Sequence, residues 1–136
     1  MEDFLKEAKS SSRVLATISG REKNRILNEM AQALRDNSSK LVAQNKKDME
    51  EGEKNKLSSA LMDRLLLDES RIDAMAVAIE EIATLKDPVG RILDGWITED
   101  GLNMQKVSIP IGVIGIIYES RPNVTSDTAA LCFKSS

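Results

Sequence analysis

The sequence predicts an α/β protein built from a helical cluster over residues 1–86, a β-hairpin over 87–110, and the first βα unit of an open parallel sheet over 111–136. Three features carry that prediction. No proline occurs before Pro88, and apolar residues up to that point recur at steps of three and four, the repeat of helices that bury one face. Asp100-Gly101 stands between two strand-like runs, a strong hairpin signal. The stretch Ile109–Tyr118 then carries no charge, and a polar turn and a helix-like segment follow it at once.

Within the helical part, Ile72, Met75, Ala76, Ile79, Ile82 and Ala83 step along one face behind Asp68, which has the chemistry of an N-cap. Ser19 and Glu22 have the spacing of a capping box and introduce a helix whose buried face holds Ile26, Leu27, Met30 and Leu34. A further helix starts near Ser38 with Leu41, Val42 and Met49 inward, and its polar remainder, QNKKDMEEGEKN (residues 44–55), reads as a solvated surface. Pro88 ends this part, because it cannot donate a hydrogen bond and biases Asp87 away from helix. The hairpin arms are Arg91–Glu99 and Leu102–Ile109, joined by a type I′ turn at Asp100-Gly101.

Val113, Ile114, Ile116 and Ile117 are β-branched and nearly continuous, as in a strand covered on both faces, so the first sheet strand is placed at Val113–Tyr118. Gly112 and Gly115 lie inside that run at G-x-x-G spacing and do not form the G-x-G-x-x-G turn of a dinucleotide site. TSDTAALCFK, from Thr125, reads as a helix capped by Thr125 or Ser126, with Ala129, Leu131, Cys132 and Phe133 partly buried. The polar turn between strand and helix is where open α/β sheets place ligands.

Composition removes several classes of function. Charge is near balance, with 19 basic and 22 acidic residues and a net charge of -3, so nothing favours nucleic acid or an anionic membrane as a partner. The chain has no histidine and one cysteine, which leaves no His-ligated metal site, no multi-thiolate zinc site and no internal disulfide. The amino terminus is acidic and amphipathic rather than basic then apolar, and Ile109–Tyr118 is about half the ~20 residues that a membrane-spanning helix needs. A cytoplasmic location is the expectation, with no membrane partner.

The residues IPIGVIGIIYESRPNVTSDTAALCFKS, and above all YESRPNVTSD at Tyr118–Asp127, closely resemble the gamma-glutamyl phosphate reductase family of the aldehyde dehydrogenase superfamily. DRLLLDESRIDAMAVAIEEIATLKDPVGRI, at Asp63–Ile92, resembles the same family's amino-terminal region. The resemblance implies an aldehyde-dehydrogenase-like fold, in which residues 1–86 are the helical part of a cofactor-binding domain, 87–110 an excursion that joins a partner subunit, and 111–136 the first βα unit. It implies NADPH-dependent reduction of L-glutamyl 5-phosphate to L-glutamate 5-semialdehyde with release of phosphate, a step of proline biosynthesis. It also implies a homo-oligomer and glutamate 5-kinase as a functional partner. Family members are longer and hold their nucleophilic cysteine in a later domain, so the 136 residues alone are expected to be inactive.

For the site, the resemblance points to Asn123 as the donor to a developing oxyanion, to Tyr118, Glu119 and Ser120 as cofactor neighbours, and to Ser120 and Arg121 as substrate contacts. The residues themselves also allow plainer roles. Asn123 can cap a helix or stabilise a turn, and Arg121 can remain a solvated loop cation. Cys132 sits beside Leu131 and Phe133, a setting for a buried small hydrophobe rather than a reactive thiolate. Two other classes stay open: another thiolate-dependent member of the superfamily, or a non-enzymatic helical interaction fragment that would account for residues 1–86 alone.

Overall fold

The computed structural model describes residues 2–119 and 121–136. The described chain runs α1 (Glu2–Leu15), α2 (Gly20–Asp36), α3 (Ser38–Lys54), α4 (Ser59–Leu65), α5 (Glu69–Thr84), β1 (Ile92–Ile97), β2 (Asn103–Val107) and α6 (Pro122–Ser135). The caps form at the positions their chemistry favours. Ser19 accepts from the Glu22 N–H at the start of α2, and Asp68 accepts from the Arg71 N–H at the start of α5. That backbone bond, followed by the Ser70 hydroxyl, holds the Asp68 carboxyl below its ordinary range. The Glu22 carboxylate does not complete the reciprocal half of a capping box; it pairs with Arg25.

The core lies where α2, α5 and α6 meet. Leu27 and Ala31 from α2, Ala76, Ile79 and Ala83 from α5, and Ala130 from α6 are buried together, with Met30, Leu34, Ile82 and Phe133 packed around them. Alanines at these contacts let the helix backbones approach closely, and burying Leu27 and Ile79 contributes roughly 1.5–3 kcal/mol for each side chain. The apolar face read from the sequence of α5 is the buried one, Ile82 being half-buried.

Polar groups complete this core. Lys23 is 1% exposed and Lys134 3%. The Lys23 ammonium pairs with Asp87 at 3.2 Å and donates to the Lys134 carbonyl at 3.4 Å. Lys134 in turn donates to Asn24 at 2.5 Å and to the Ala83 carbonyl at 3.0 Å. Burial pushes the Lys134 amine down and the charge of Lys23 adds to that, against the opposing pull of Asp87. Burial alone would push the Asp87 carboxyl up. The Val89 N–H, the Lys23 bond and the fields of both ammonium groups more than offset it, so Asp87 sits below its ordinary range. This cluster joins the start of α2, the end of α5 and the end of α6.

The surface reading of residues 44–55 needs correction. Asn45 is 5% exposed and Gly52 is buried, because α3 turns these positions toward the α4–α5 connection. Asn45 donates to the Leu65 carbonyl and accepts from the Leu67 N–H, both at 2.8 Å, so it fastens that connection to α3.

The hairpin pairs antiparallel, with Ile97 opposite Asn103 and Trp96 opposite Met104, and a register irregularity between Ile92 and Asp94. Its turn is not the expected type I′, since Gly101 has φ +80° while Asp100 does not have positive φ. Instead Gly101 donates to the Thr98 carbonyl, and the Leu102 N–H to the Thr98 hydroxyl. That makes a longer loop whose left-handed residue is the glycine, as in a turn closed by a bulge. Both strands are exposed along their whole length.

Two further expectations are overturned. Residues 110–119 have no regular secondary structure, so the strand placed at Val113–Tyr118 is absent, and Val113, Ile114, Ile116 and Ile117 are exposed. The physical reason is that a strand exists only through ladder bonds to a neighbour, and among the described residues the only sheet is the hairpin. Second, the last helix begins at Pro122 rather than at Thr125 or Ser126. Proline at the first helical position is pre-set for helix and has no N–H left unpaired. The face of α6 that packs against α5 and α2 steps through Ser126, Ala130 and Lys134, which are buried, while Ala129 and Leu131 are exposed. Cys132 is half-buried, at an apolar groove also bordered by Leu15 and Phe133.

Candidate active site

The residues singled out from the sequence lie on the approach to α6 and in its first turn. Arg121 is the N-cap residue, makes no side-chain cap bond and is exposed. Pro122 and Asn123 follow as the first two helical residues. The capping role considered for Asn123 does not occur. Its side-chain amide donates along the helix to the Asp127 carboxylate at 3.2 Å, and its backbone carbonyl accepts from the Ser126 hydroxyl at 2.9 Å. Just before the helix, the Tyr118 hydroxyl is 2.6 Å from the Thr125 hydroxyl, which ties the segment at 118 to the first turn of α6. Glu119 is exposed, and Ser120 lies outside the described residues.

Asn123 opens onto a cavity of about 250 Å³. Pro122, Asn123 and Asp127 of α6 form one wall, Arg71, Ala74, Met75 and Ala78 of α5 another, and Arg64 and Leu66 close the end. Each wall has a local cause. The Asp68 cap starts α5 so that Arg71 falls on the cavity side, while the Asn45 bonds hold the backbone on either side of Leu66. Arg71 is itself fixed, donating to the carboxylate of Asp63 at 2.7 Å, to the Leu66 carbonyl at 3.0 Å and to the Asp63 carbonyl. Arg64 is exposed and makes no hydrogen bond or ion pair among the described residues.

The structure therefore brings Asn123 together with Arg64, Arg71 and Asp127, which the sequence did not mark. Asp127 stood inside the characteristic turn, but its i, i+4 relation to Asn123 required the earlier helix start. Nothing in the sequence around Arg64 and Arg71 sets them apart from the other basic residues of the helical part. Arg121, Tyr118 and Glu119 are not among the residues lining this cavity. Chemically, the cavity offers an amide donor beside a positively charged end wall, an arrangement able to hold a polar, partly anionic small molecule. Among the described residues no group of three metal-ligating side chains forms, and no helix is long and apolar enough to cross a membrane.

Comparison with solved structures shows which proteins share this fold. The fold matches that of the gamma-glutamyl phosphate reductase from Thermotoga maritima with a TM-score of 0.92 and 42% identity, covering 96% of this chain and 31% of that one. It matches the gamma-glutamyl phosphate reductase of Saccharomyces cerevisiae with a TM-score of 0.89 and 34% identity, covering 96% and 33%. The fold is thus similar to that of about a third of each of these two reductases. The particular relatives are equally consistent: the chain is 74% identical over all 136 residues to the gamma-glutamyl phosphate reductase of Sulfurimonas denitrificans and 71% identical to that of a Sulfurovum species. The chain spans about a third of the length of these relatives, 33% in both cases. No family model matches it. The resemblance read from YESRPNVTSD holds across the whole chain.

Proposed function

We propose that the complete protein reduces L-glutamyl 5-phosphate to L-glutamate 5-semialdehyde with release of phosphate, using NADPH, as a step toward proline. One observation carries this reading: unbroken similarity over every residue to proteins named gamma-glutamyl phosphate reductase, at up to 74% identity among those compared. The nicotinamide supplies the hydride when bound. Tyr118 and Glu119 would flank it, Tyr118 being held in place through Thr125, and Ser120 lies between that pair and Arg121.

In this reading a thiolate from the remainder of the protein attacks the acyl carbon, charge builds on the acyl oxygen as the carbon–sulfur bond forms, and the carbonyl re-forms as phosphate departs with the electron pair of its bond. The Asn123 amide is the donor for that oxygen. It sits on a helix rather than on a loop, and its partner in the structure, Asp127, is one turn further along α6, so a side-chain rotation as substrate binds aims it at that oxygen before the reaction begins. Such pre-positioned donors lower a barrier because they need no reorganisation at the moment of reaction. Arg121, exposed beside this turn, is a contact for the anionic substrate. Cys132, half-buried on an apolar groove, is not the nucleophile.

The domain roles follow the same reading. Residues 1–86 and 111–136 belong to the cofactor-binding domain, in which the apolar segment at 113–118 gains strand neighbours. The hairpin at 87–110, with Trp96, Ile97 and Met104 exposed, meets a partner subunit in a cytoplasmic homo-oligomer that receives its unstable substrate from glutamate 5-kinase. Run in reverse, the complete protein should reduce NADP⁺ only when both L-glutamate 5-semialdehyde and inorganic phosphate are present, and faster than it reduces NAD⁺. Nucleotide reduction that ignores phosphate would exclude acyl-phosphate chemistry. The 136 residues alone should give no turnover.

A further inference from the structure

The charges around the α5–α6 cavity say more than the acyl chemistry requires. Arg71 is already committed to Asp63 and Leu66, so it shapes the wall without offering a free fork. Arg64 has its whole guanidinium available among the described residues. Asp127 accepts from Asn123 at 3.2 Å and from Ser126 at 3.4 Å, which leaves it about half of its roughly four acceptor sites. One free guanidinium and one part-free carboxylate thus face a single small cavity from different elements. A simple anion would be opposed by Asp127, and a simple cation by both arginines. A zwitterion satisfies both ends.

We infer that this cavity is the recognition site for the α-amino-acid end of the substrate, with Arg64 holding the α-carboxylate and Asp127 the α-ammonium. The inference rests on the proposed function, through Asn123 at the acyl carbon. Asn123 and Asp127 lie one turn apart on α6 with their side-chain groups 3.2 Å from each other, so both fall within reach of one five-carbon ligand, whose acyl carbon and α-nitrogen are separated by four bonds, roughly 5 Å when extended. The cavity volume of about 250 Å³ is below the 300 Å³ or so at which sites for drug-sized ligands begin, as suits a five-carbon amino acid.

The test uses the complete enzyme and three stable probes as inhibitors of the reverse reaction: L-glutamate, glutarate, which lacks the α-amine, and 4-aminobutanoate, which lacks the α-carboxylate. In the wild type, L-glutamate should inhibit about tenfold or more better than either of the others, the scale of losing one charge-assisted contact. Asp127→Asn should erase the advantage over glutarate while keeping that over 4-aminobutanoate. Arg64→Gln should do the converse, and Arg64→Lys should restore part of it. Equal inhibition by all three probes in the wild type, or preferences unchanged in both variants, overturns the inference. If the wild type shows no nicotinamide-linked turnover, the proposed function fails, and calorimetric titration of the same three probes still decides whether the cavity prefers the zwitterion.

Discussion

Asn45→Ala should loosen the floor of the candidate site without touching any residue that lines it. In the folded chain the Asn45 side chain satisfies two backbone groups, donating to Leu65 and accepting from Leu67, each at 2.8 Å. Removing it loses two hydrogen bonds of about 1 kcal/mol net each and leaves a part-buried N–H and C=O unpaired, so a total of about 2–4 kcal/mol is expected. Leu66 lies between the two anchored residues and its carbonyl receives Arg71 at 3.0 Å, so the disturbance reaches the cavity wall. Amide hydrogen exchange on the complete protein reads this locally. Protection of the Leu67 N–H should fall by roughly one and a half to three orders of magnitude, with smaller losses along the start of α5. Asn45→Asp keeps an acceptor for Leu67 but sets a buried carboxylate against the Leu65 carbonyl, and should destabilise the connection at least as much as alanine. Unchanged protection at Leu67 in the alanine variant would refute the assignment of Asn45 as the fastening of this connection.

Other perturbations have equally definite outcomes. Asn123→Ala in the complete enzyme should lower kcat by about 10²–10³ while changing stability by less than about 1 kcal/mol, since it breaks one exposed bond to Asp127; a lowered melting point with unchanged kcat would reject the oxyanion role. The depressed Asp87 carboxyl stabilises the fold above the unfolded value of about pH 4, and that stability drains away as pH falls through the lower folded value. Melting curves from neutral to acid pH should therefore be steeper for wild type than for Asp87→Asn, and parallel curves would contradict the linkage. A Cβ on Gly20 would stand 2.9 Å from the Asp87 carboxylate and 3.3 Å from its Cβ, so Gly20→Ala should cost about 1–3 kcal/mol by overpacking, measurable as a lower Tm. Trp96→Asp on the exposed hairpin should shift the complete protein to a smaller species by light scattering, and an unchanged mass would remove the hairpin from the subunit contact.

Legibility in the sequence followed the kind of force involved. Periodicity reports which face of a helix is buried, so Ile72, Met75, Ala76 and Ile79 were readable, as were the Ser19 and Asp68 caps, whose chemistry is local. Asn45, Lys23 and Lys134 were not, because a buried polar side chain is spelled with the same letter as a solvated one and differs only in partners far along the chain. The segment 113–118 shows the opposite failure. Its composition favours a strand, but pairing is a property of two segments, and a run of β-branched residues cannot name its neighbour. At the site, Pro122 as the first helical residue was the missed signal. Recognising it would have placed Asn123 and Asp127 one turn apart and exposed the carboxylate's part in the cavity.

The buried lysine pair bears on the order in which the chain can acquire its structure during synthesis. Lys23 emerges early, yet its acceptor at Lys134 lies 111 residues later and its counter-charge at Asp87 lies 64 residues later. Full burial of the Lys23 ammonium therefore waits for both partners, a restraint set by the cost of an unpaired buried charge. Docking of α6 brings Lys134 onto Asn24 and Ala83 and releases that restraint in one event. Contacts of such long sequence separation slow folding; here they also time it, coupling consolidation of the amino-terminal helices to the appearance of the helix that carries Asn123.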